Sequence, residues 1–326
     1  MKKIAVIATG GTIAGTGAPG QASSYKAGEL PVQAILESIP QIRDLAELDL
    51  ITISQVDSND IGFSQIQKIK EACEKLDTDE SVDGIVITHG TDTLEETSFI
   101  LNVVLNVHKP VIITGAMRPA TATSADGPMN LYQAVALAAK PEAAHFGVLG
   151  LFSNTIYSGR DIAKQNAMKT DAFSTTEFGT LGYMRDADAY LMQTPYRAHT
   201  CFTCLNDFPL VDMPKVAVFY VHQEADPELL QYMLDHYDGV VLAGTGAGNY
   251  PSPIQALIEN YEGNAVIVRS SRLPESLVFP SPVFDPENRT IASYRLSPPK
   301  ARLLLMAALK KYGPDKTEIT RCFEQY

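Results

Sequence analysis

The chain has little cysteine for its length: four residues in 326, at Cys73, Cys201, Cys204 and Cys322. So few thiols exclude a disulfide framework as what holds the fold together. No stretch approaches the roughly 18 to 20 consecutive apolar residues that a membrane-spanning helix requires. A dense basic run is also missing. Twenty-six Lys and Arg stand against 38 Asp and Glu, a formal charge of −12, which disfavours a nucleic-acid backbone or an anionic membrane as partner. Internal repeats and low-complexity tracts do not occur. Met1-Lys2-Lys3 runs into Ile4-Ala-Val-Ile-Ala8 and reaches Gly10-Gly11 at once, an apolar run too short for a secretory signal. The expectation is a first strand and a cytoplasmic protein.

What remains is an ordinary globular composition, 45% hydrophobic, with material for one large domain or two smaller ones. Strand-like runs at Lys3–Ala8, Leu50–Gln55, Gly84–Thr88, Pro110–Thr114 and Phe146–Phe152 alternate with helical segments, the pattern of βα units around a mostly parallel sheet. In the first of those helices Ile66, Ile69, Cys73 and Leu76 fall at helical spacing behind a candidate Ser64 cap. Between Gln193 and Pro214 the periodicity stops in a proline-containing stretch that reads as a linker. Strands return at Lys215–Val221, Gly239–Ala243 and Ala265–Arg269, with a helix over Pro227–His236 capped by Asp226 and a last one near Pro299–Tyr312. The expected architecture is α/β: a larger N-terminal domain with a doubly wound sheet over 1–192, a linker over 193–214, and a smaller α/β domain over 215–326.

Two buried strand patterns end in glycine-flanked threonine turns, Thr9-Gly-Gly11-Thr12 and His89-Gly90-Thr91-Asp92-Thr93. Open α/β sheets bind ligands beyond the carboxyl ends of their strands. Both turns therefore put hydroxyls and backbone N–H groups where a small polar substrate reacts. Gly10 and Gly11 permit a tight turn and close approach of a ligand to the backbone. A threonine hydroxyl needs a base to become a nucleophile, and Lys164, in Ser158-Gly-Arg-Asp161-Ile-Ala-Lys164, is a candidate amine for that work. Read alone, these residues fit a capped helix start and a surface lysine better than a catalytic group.

Together with Gly115-Ala116-Met-Arg118-Pro, Ser124-Ala-Asp-Gly-Pro128, Ser270-Ser-Arg272 and Lys300-Ala-Arg302, these blocks resemble the bacterial L-asparaginase family. The pieces stand in the family's order over almost the whole chain. The resemblance implies removal of the side-chain amide of L-asparagine, without metal or organic cofactor. It makes Thr12 the nucleophile, Tyr25 a nearby activating hydroxyl, and Thr91, Lys164 and Asp92 a proton-handling group. Gly11, Ser58, Asn59, Gly90 and the Ala116 backbone become substrate contacts, with Asp92 taking the α-ammonium. The glycine-rich run from Gly15 to Tyr25 becomes a closing lid. Attack by Thr12 and direct attack by water helped by Thr91 both remain open.

The resemblance also implies a homotetramer built as a dimer of dimers, in which a neighbouring subunit supplies Asn249 to the substrate amine. The family's second amine contact, a glutamate, falls near Pro282 here, with Glu275 and Asp285 as possible substitutes. Glutamine use is thereby in question. His89 is expected to support its turn and not to transfer protons, and Glu95-Glu96 reads as first-turn helix charge. His199, Cys201 and Cys204 offer two thiols and an imidazole but no fourth zinc ligand, which favours a plain linker. An amidase of the same fold with another substrate and a non-catalytic amino-acid sensor are the alternatives.

Overall fold

The computed structural model describes residues 1–18, 20, 25–26, 32–175 and 178–326, with the backbone alone at Ala14, Tyr25, Lys26 and Val32. The Tyr25 side chain and much of the expected lid therefore lie outside the described residues. The chain divides into two compact units, Met1–Val211 and Asp212–Tyr326.

The first unit contains β1 (Lys2–Gly10), β2 (Thr16–Gly17), β3 (Tyr25–Lys26), β4 (Ala46–Val56), β5 (Gly84–Thr88), β6 (Val111–Thr114), β7 (Val148–Phe152), β8 (Thr155–Ser158), β9 (Ala163–Lys164), β10 (Phe173–Ser174), β11 (Gly182–Arg185) and β12 (Asp188–Leu191). Its helices are α1 (Val32–Glu37), α2 (Phe63–Thr78), α3 (Leu94–Val104) and α4 (Gly127–Ala138). Eight strands form one sheet in the order β12-β11-β8-β7-β6-β5-β1-β4. β4, β1, β5, β6 and β7 are parallel; β8, β11 and β12 extend the sheet antiparallel.

The parallel strands β1, β5, β6 and β7 are near-continuous apolar runs because both faces are covered, whereas β4, at the sheet edge, alternates polar and apolar residues and is only partly buried. Ile4, Val6, Ala8, Val86, Ile112 and Leu149 share one core with α4 residues Leu131, Ala134, Val135 and Ala138. The alternate residues Ala5, Ile7, Ile85, Ile87, Val111 and Ile113 are equally buried on the opposite face. From β1 the chain crosses to β4 on one side, then returns past β1 to β5 on the other. That reversal makes the carboxyl ends of β1 and β5 the topological switch point, where such sheets bind ligands.

Two local expectations are corrected. The second helix starts at Phe63 with Gly62 as its cap, and Gln65 Oε1 accepts the Gly62 N–H at 3.1 Å. Ser64 is inside the first turn and donates to Gln65 Oε1. The proline-containing stretch after Gln193 is largely folded onto the first unit. Thr203 Oγ1 donates to Val103 O at 2.6 Å, the Leu210 N–H donates to Gln67 Oε1 at 2.7 Å, and Leu205 and Leu210 are buried.

The second unit is a parallel sheet in the order β13-β14-β15-β16, formed by Val216–Tyr220, Gly239–Gly244, Val266–Ser271 and Thr290–Ala292. Its helices are α5 (Pro227–His236), α6 (Ser252–Glu259), α7 (Pro298–Tyr312) and α8 (Lys316–Gln325). Asp226 Oδ1 accepts the Glu228 N–H at 2.9 Å, capping α5. Phe219, Val240, Leu242, Leu230, Leu234, Ile254 and Ile258 form the core between the sheet and α5 and α6.

Candidate active site

At the end of β1 the pairing with β4 slips between Ala8 and Gly10, and the Gly11 N–H donates to Val56 O at 3.1 Å. Gly10 has φ +107° and Gly11 has φ +81° with ψ −172°, backbone that only glycine adopts readily. Thr12 follows at the start of a 3-10 turn and is almost fully buried. The turn after β5 packs directly against it: a Cβ on Gly11 would stand 2.4 Å from Gly90 Cα and N. On the other side, a Cβ on Gly90 would stand 2.8 Å from Ser58 Cβ. Three glycine-permitted backbones thus bring the Thr12, Ser58 and Thr91 segments into contact.

Lys164 Nζ donates to Thr91 Oγ1 at 2.9 Å and to Asp92 Oδ1 at 2.5 Å. Thr91 and Lys164 are largely shielded, whereas the Asp92 carboxylate is half exposed. The hydrogen bond from Lys164 lowers the Asp92 pKa, with help from its charge and from Asn59 Nδ2, which donates to Asp92 Oδ2 at 3.3 Å. Asp92 is therefore an anion with one side open to solvent. Asn59 is oriented in turn by Asp57 Oδ1, which accepts its backbone N–H at 2.9 Å and its Nδ2 at 2.8 Å. Thr93 Oγ1 donates to Ser58 O at 2.7 Å, tying the two segments together.

Burial pushes the His89 imidazole down to about 4, and its Nδ1 meets Gly90 O at 2.7 Å. A neutral ring donating from Nδ1 fits that contact, so His89 holds the Gly90 turn. Ala116 is placed by Asp126, from the Ser124–Pro128 block, and by Asn130 just after it. Asp126 accepts the N–H groups of Met117 and Arg118, each at 2.9 Å, and Asn130 Nδ2 donates to Gly115 O at 3.0 Å. Asp126 thus acts on the Gly115-Ala-Met-Arg turn although nothing in the spacing of Ser124-Ala-Asp-Gly singles it out.

Asn249 lies in the second unit, on a turn closed by Thr245 N–H to Asn249 O at 2.8 Å and Asn249 N–H to Thr245 O at 2.7 Å. Its Oδ1 is buried with no donor among the described residues. Arg269 supports the same turn by donating from Nη1 to Ala247 O at 3.0 Å, and from Nη2 to Phe279 O. Asp285 is committed elsewhere: its oxygens accept the N–H groups of Arg289 at 2.6 Å and Thr290 at 2.7 Å, and the Thr290 hydroxyl at 2.7 Å. Glu275 is exposed. His199 is buried with Nδ1 against Thr200 Oγ1 at 3.1 Å, and Cys201 and Cys204 are thiols. No three His, Cys, Asp or Glu side chains converge as a metal site among the described residues.

A carboxylate, an amine and a buried hydroxyl joined at the switch point of an α/β sheet form a site suited to polar, amino-acid-sized substrates. The family model for the asparaginase N-terminal domain matches residues 3–197, and that for the glutaminase/asparaginase C-terminal domain matches residues 215–323. The chain belongs to the asparaginase family. It is 38% identical to L-asparaginase 2 of Escherichia coli (strain K12) over all of this chain and 94% of that protein. It is 37% identical to the glutaminase-asparaginase of Acinetobacter glutaminasificans over 99% of each chain. Among solved structures, the probable cytoplasmic L-asparaginase from Campylobacter jejuni superposes with a TM-score of 0.93 at 36% identity, covering both chains completely.

Proposed function

We infer that this protein is an L-asparagine amidohydrolase that releases L-aspartate and ammonia. The observation that carries the reading is the Lys164 amine bonded at once to Thr91 Oγ1 and Asp92 Oδ1, on the turn that packs against Gly11 and Thr12. Thr12 Oγ attacks the side-chain amide carbon and gives up its proton; the C–N bond then breaks and ammonia leaves with that proton. The resulting aspartyl ester is cleaved by water, which Thr91, backed by Lys164, deprotonates. Backbone N–H groups aimed at the developing oxyanion are worth about 3 kcal/mol each in such reactions. The side chains supply nucleophile, base and carboxylate, so the scheme calls for no metal or cofactor.

Asp92 takes the α-ammonium with its exposed side, while Ser58, Asn59 and the Gly90 backbone orient the α-carboxylate. Asn249, a partly exposed residue, reaches the amine from a neighbouring copy in a homotetramer. The family resemblance supports that assembly. Mixing Thr12→Ala with Asn249→Ala chains tests it, since shared sites recover activity and self-contained sites do not. Likeness to the probable cytoplasmic L-asparaginase from Campylobacter jejuni supports a cytoplasmic location, although the Haemophilus influenzae relative, 37% identical, is a probable periplasmic L-asparaginase. No helix among the described residues is long and apolar enough to cross a membrane.

Ammonia release from L-asparagine, L-glutamine and D-asparagine, measured side by side, tests the assignment. Release from L-asparagine at the highest kcat/KM supports it, and an inert protein contradicts it.

A further inference from the structure

Lys164 sits on β9, a strand of two residues paired with the equally short β10 in a separate two-stranded ribbon. Such a ribbon is marginally stable by itself in water. It nevertheless has to hold an amine within hydrogen-bond reach of Thr91. The backbone supplies another tie: the Lys164 N–H donates to Glu95 Oε2 at 2.7 Å. At that distance the side-chain oxygen ties the strand backbone to the helix start.

Glu95 lies in the first turn of α3, directly after the turn that carries Thr91 and Asp92. Lys164 is therefore pinned at both ends to one short piece of chain. Its backbone N meets Glu95, and its Nζ meets Thr91 Oγ1 and Asp92 Oδ1. Glu96 occupies the same first turn and shares any favourable interaction with the helix dipole. The bond to Lys164 N is a further role for Glu95, one that helix charge does not explain.

We propose that Glu95 is a positioning residue for the reaction: its carboxylate fixes the Lys164 backbone to the helix start that presents Thr91, so that Nζ reaches the Thr91 hydroxyl. The inference rests on reading Thr91 and Lys164 as the working pair. Its chemistry demands an acceptor oxygen at the glutamate's reach, not a negative charge as such. The Glu95→Gln substitution retains that oxygen, Glu95→Asp leaves it one methylene short, and Glu95→Ala removes it. A misplacement of about 1 Å in a catalytic group can cost about 100-fold in rate.

The test is steady-state kinetics on asparagine for Glu95→Ala, Glu95→Asp, Glu95→Gln, Lys164→Met and the Glu95→Ala/Lys164→Met double variant, each with a thermal melt. Glu95→Ala and Glu95→Asp should lower kcat about 10- to 100-fold with KM within about twofold of wild type. Glu95→Gln should return kcat to within about threefold, and Glu95→Ala should cost nothing further once Lys164 is gone. If Glu95→Ala does not fold, Glu95→Asp and Glu95→Gln carry the comparison. Wild-type kcat in Glu95→Asp or Glu95→Ala, beside an inactive Lys164→Met, overturns the positioning role and leaves the site assignment standing. Wild-type turnover in Lys164→Met overturns the site assignment and this inference with it.

Discussion

Lys164 Nζ lies 2.9 Å from Thr91 Oγ1 although 73 residues separate the two in the chain. The fold brings them together by ending β5 at the switch point and laying the β9–β10 ribbon beside the start of α3. Under the proposed mechanism each partner is a proton-transfer group and not merely a binding contact. Thr91→Val and Lys164→Met should each lower kcat by at least about 100-fold, with a smaller change in KM. A variant that only raises KM would move these residues out of the chemistry.

Gly11 tests the close packing of the two turns. Its φ of +81° with ψ −172° lies in a region nearly exclusive to glycine, and an added Cβ would meet Gly90 backbone atoms at 2.4 Å. Gly11→Ala should destabilise the first unit by about 3 kcal/mol or more. Denaturant unfolding checks this, and a change under about 1 kcal/mol would show that the turns can separate freely.

His89 makes stability depend on mildly acidic pH. Its pKa is about 4 in the folded protein against an ordinary value of 6.5, so the unfolded chain binds the proton more readily. Stability supplied by the neutral ring is present above pH 6.5 and is lost as pH falls from there towards 4, by about 1.4 kcal/mol per pH unit. His89→Asn, which retains a short donor for Gly90 O, should flatten that slope. Equal slopes in both proteins would remove His89 as its source.

Asp285 bears on specificity. Both of its oxygens are bound to Arg289 and Thr290, so it is occupied within its own loop, and Pro282 offers no side-chain acceptor. Where Glu275 does not supply that contact either, the site has one amine contact fewer, and the longer and more flexible glutamine loses more than asparagine does. The kcat/KM for glutamine should fall below that for asparagine by more than about tenfold, about 1.4 kcal/mol of discrimination. A smaller ratio would mean that another group aligns the longer substrate.

Strand and helix periodicity made much of the parallel core legible, because strands buried on both faces are continuous apolar runs bounded by turn residues. The short strands β8 to β12 were harder to read, since two- to four-residue strands carry little periodic signal. Gly62 took the cap that the Ser64 hydroxyl suggested, because Gln65 satisfies its N–H from within the helix. Within the site, threonines after buried strands advertise themselves. Asp126 and Glu95 do not, since each acts through a backbone N–H that only the folded chain brings near, while Asp57 caps its own turn and looks like any other turn residue. A carboxylate in a first helical turn looks like ordinary helix charge until its partner is seen.

Thr12 carries the central claim, that asparagine is opened by a hydroxyl held on the Gly10–Gly11 turn. The most direct measurement is ammonia release from L-asparagine by wild type and Thr12→Ala at equal concentrations of folded protein, with folding confirmed by circular dichroism and melting temperature. The account predicts a folded variant with nearly all hydrolysis lost, at least about 1,000-fold in kcat. Wild-type turnover by folded Thr12→Ala would contradict it.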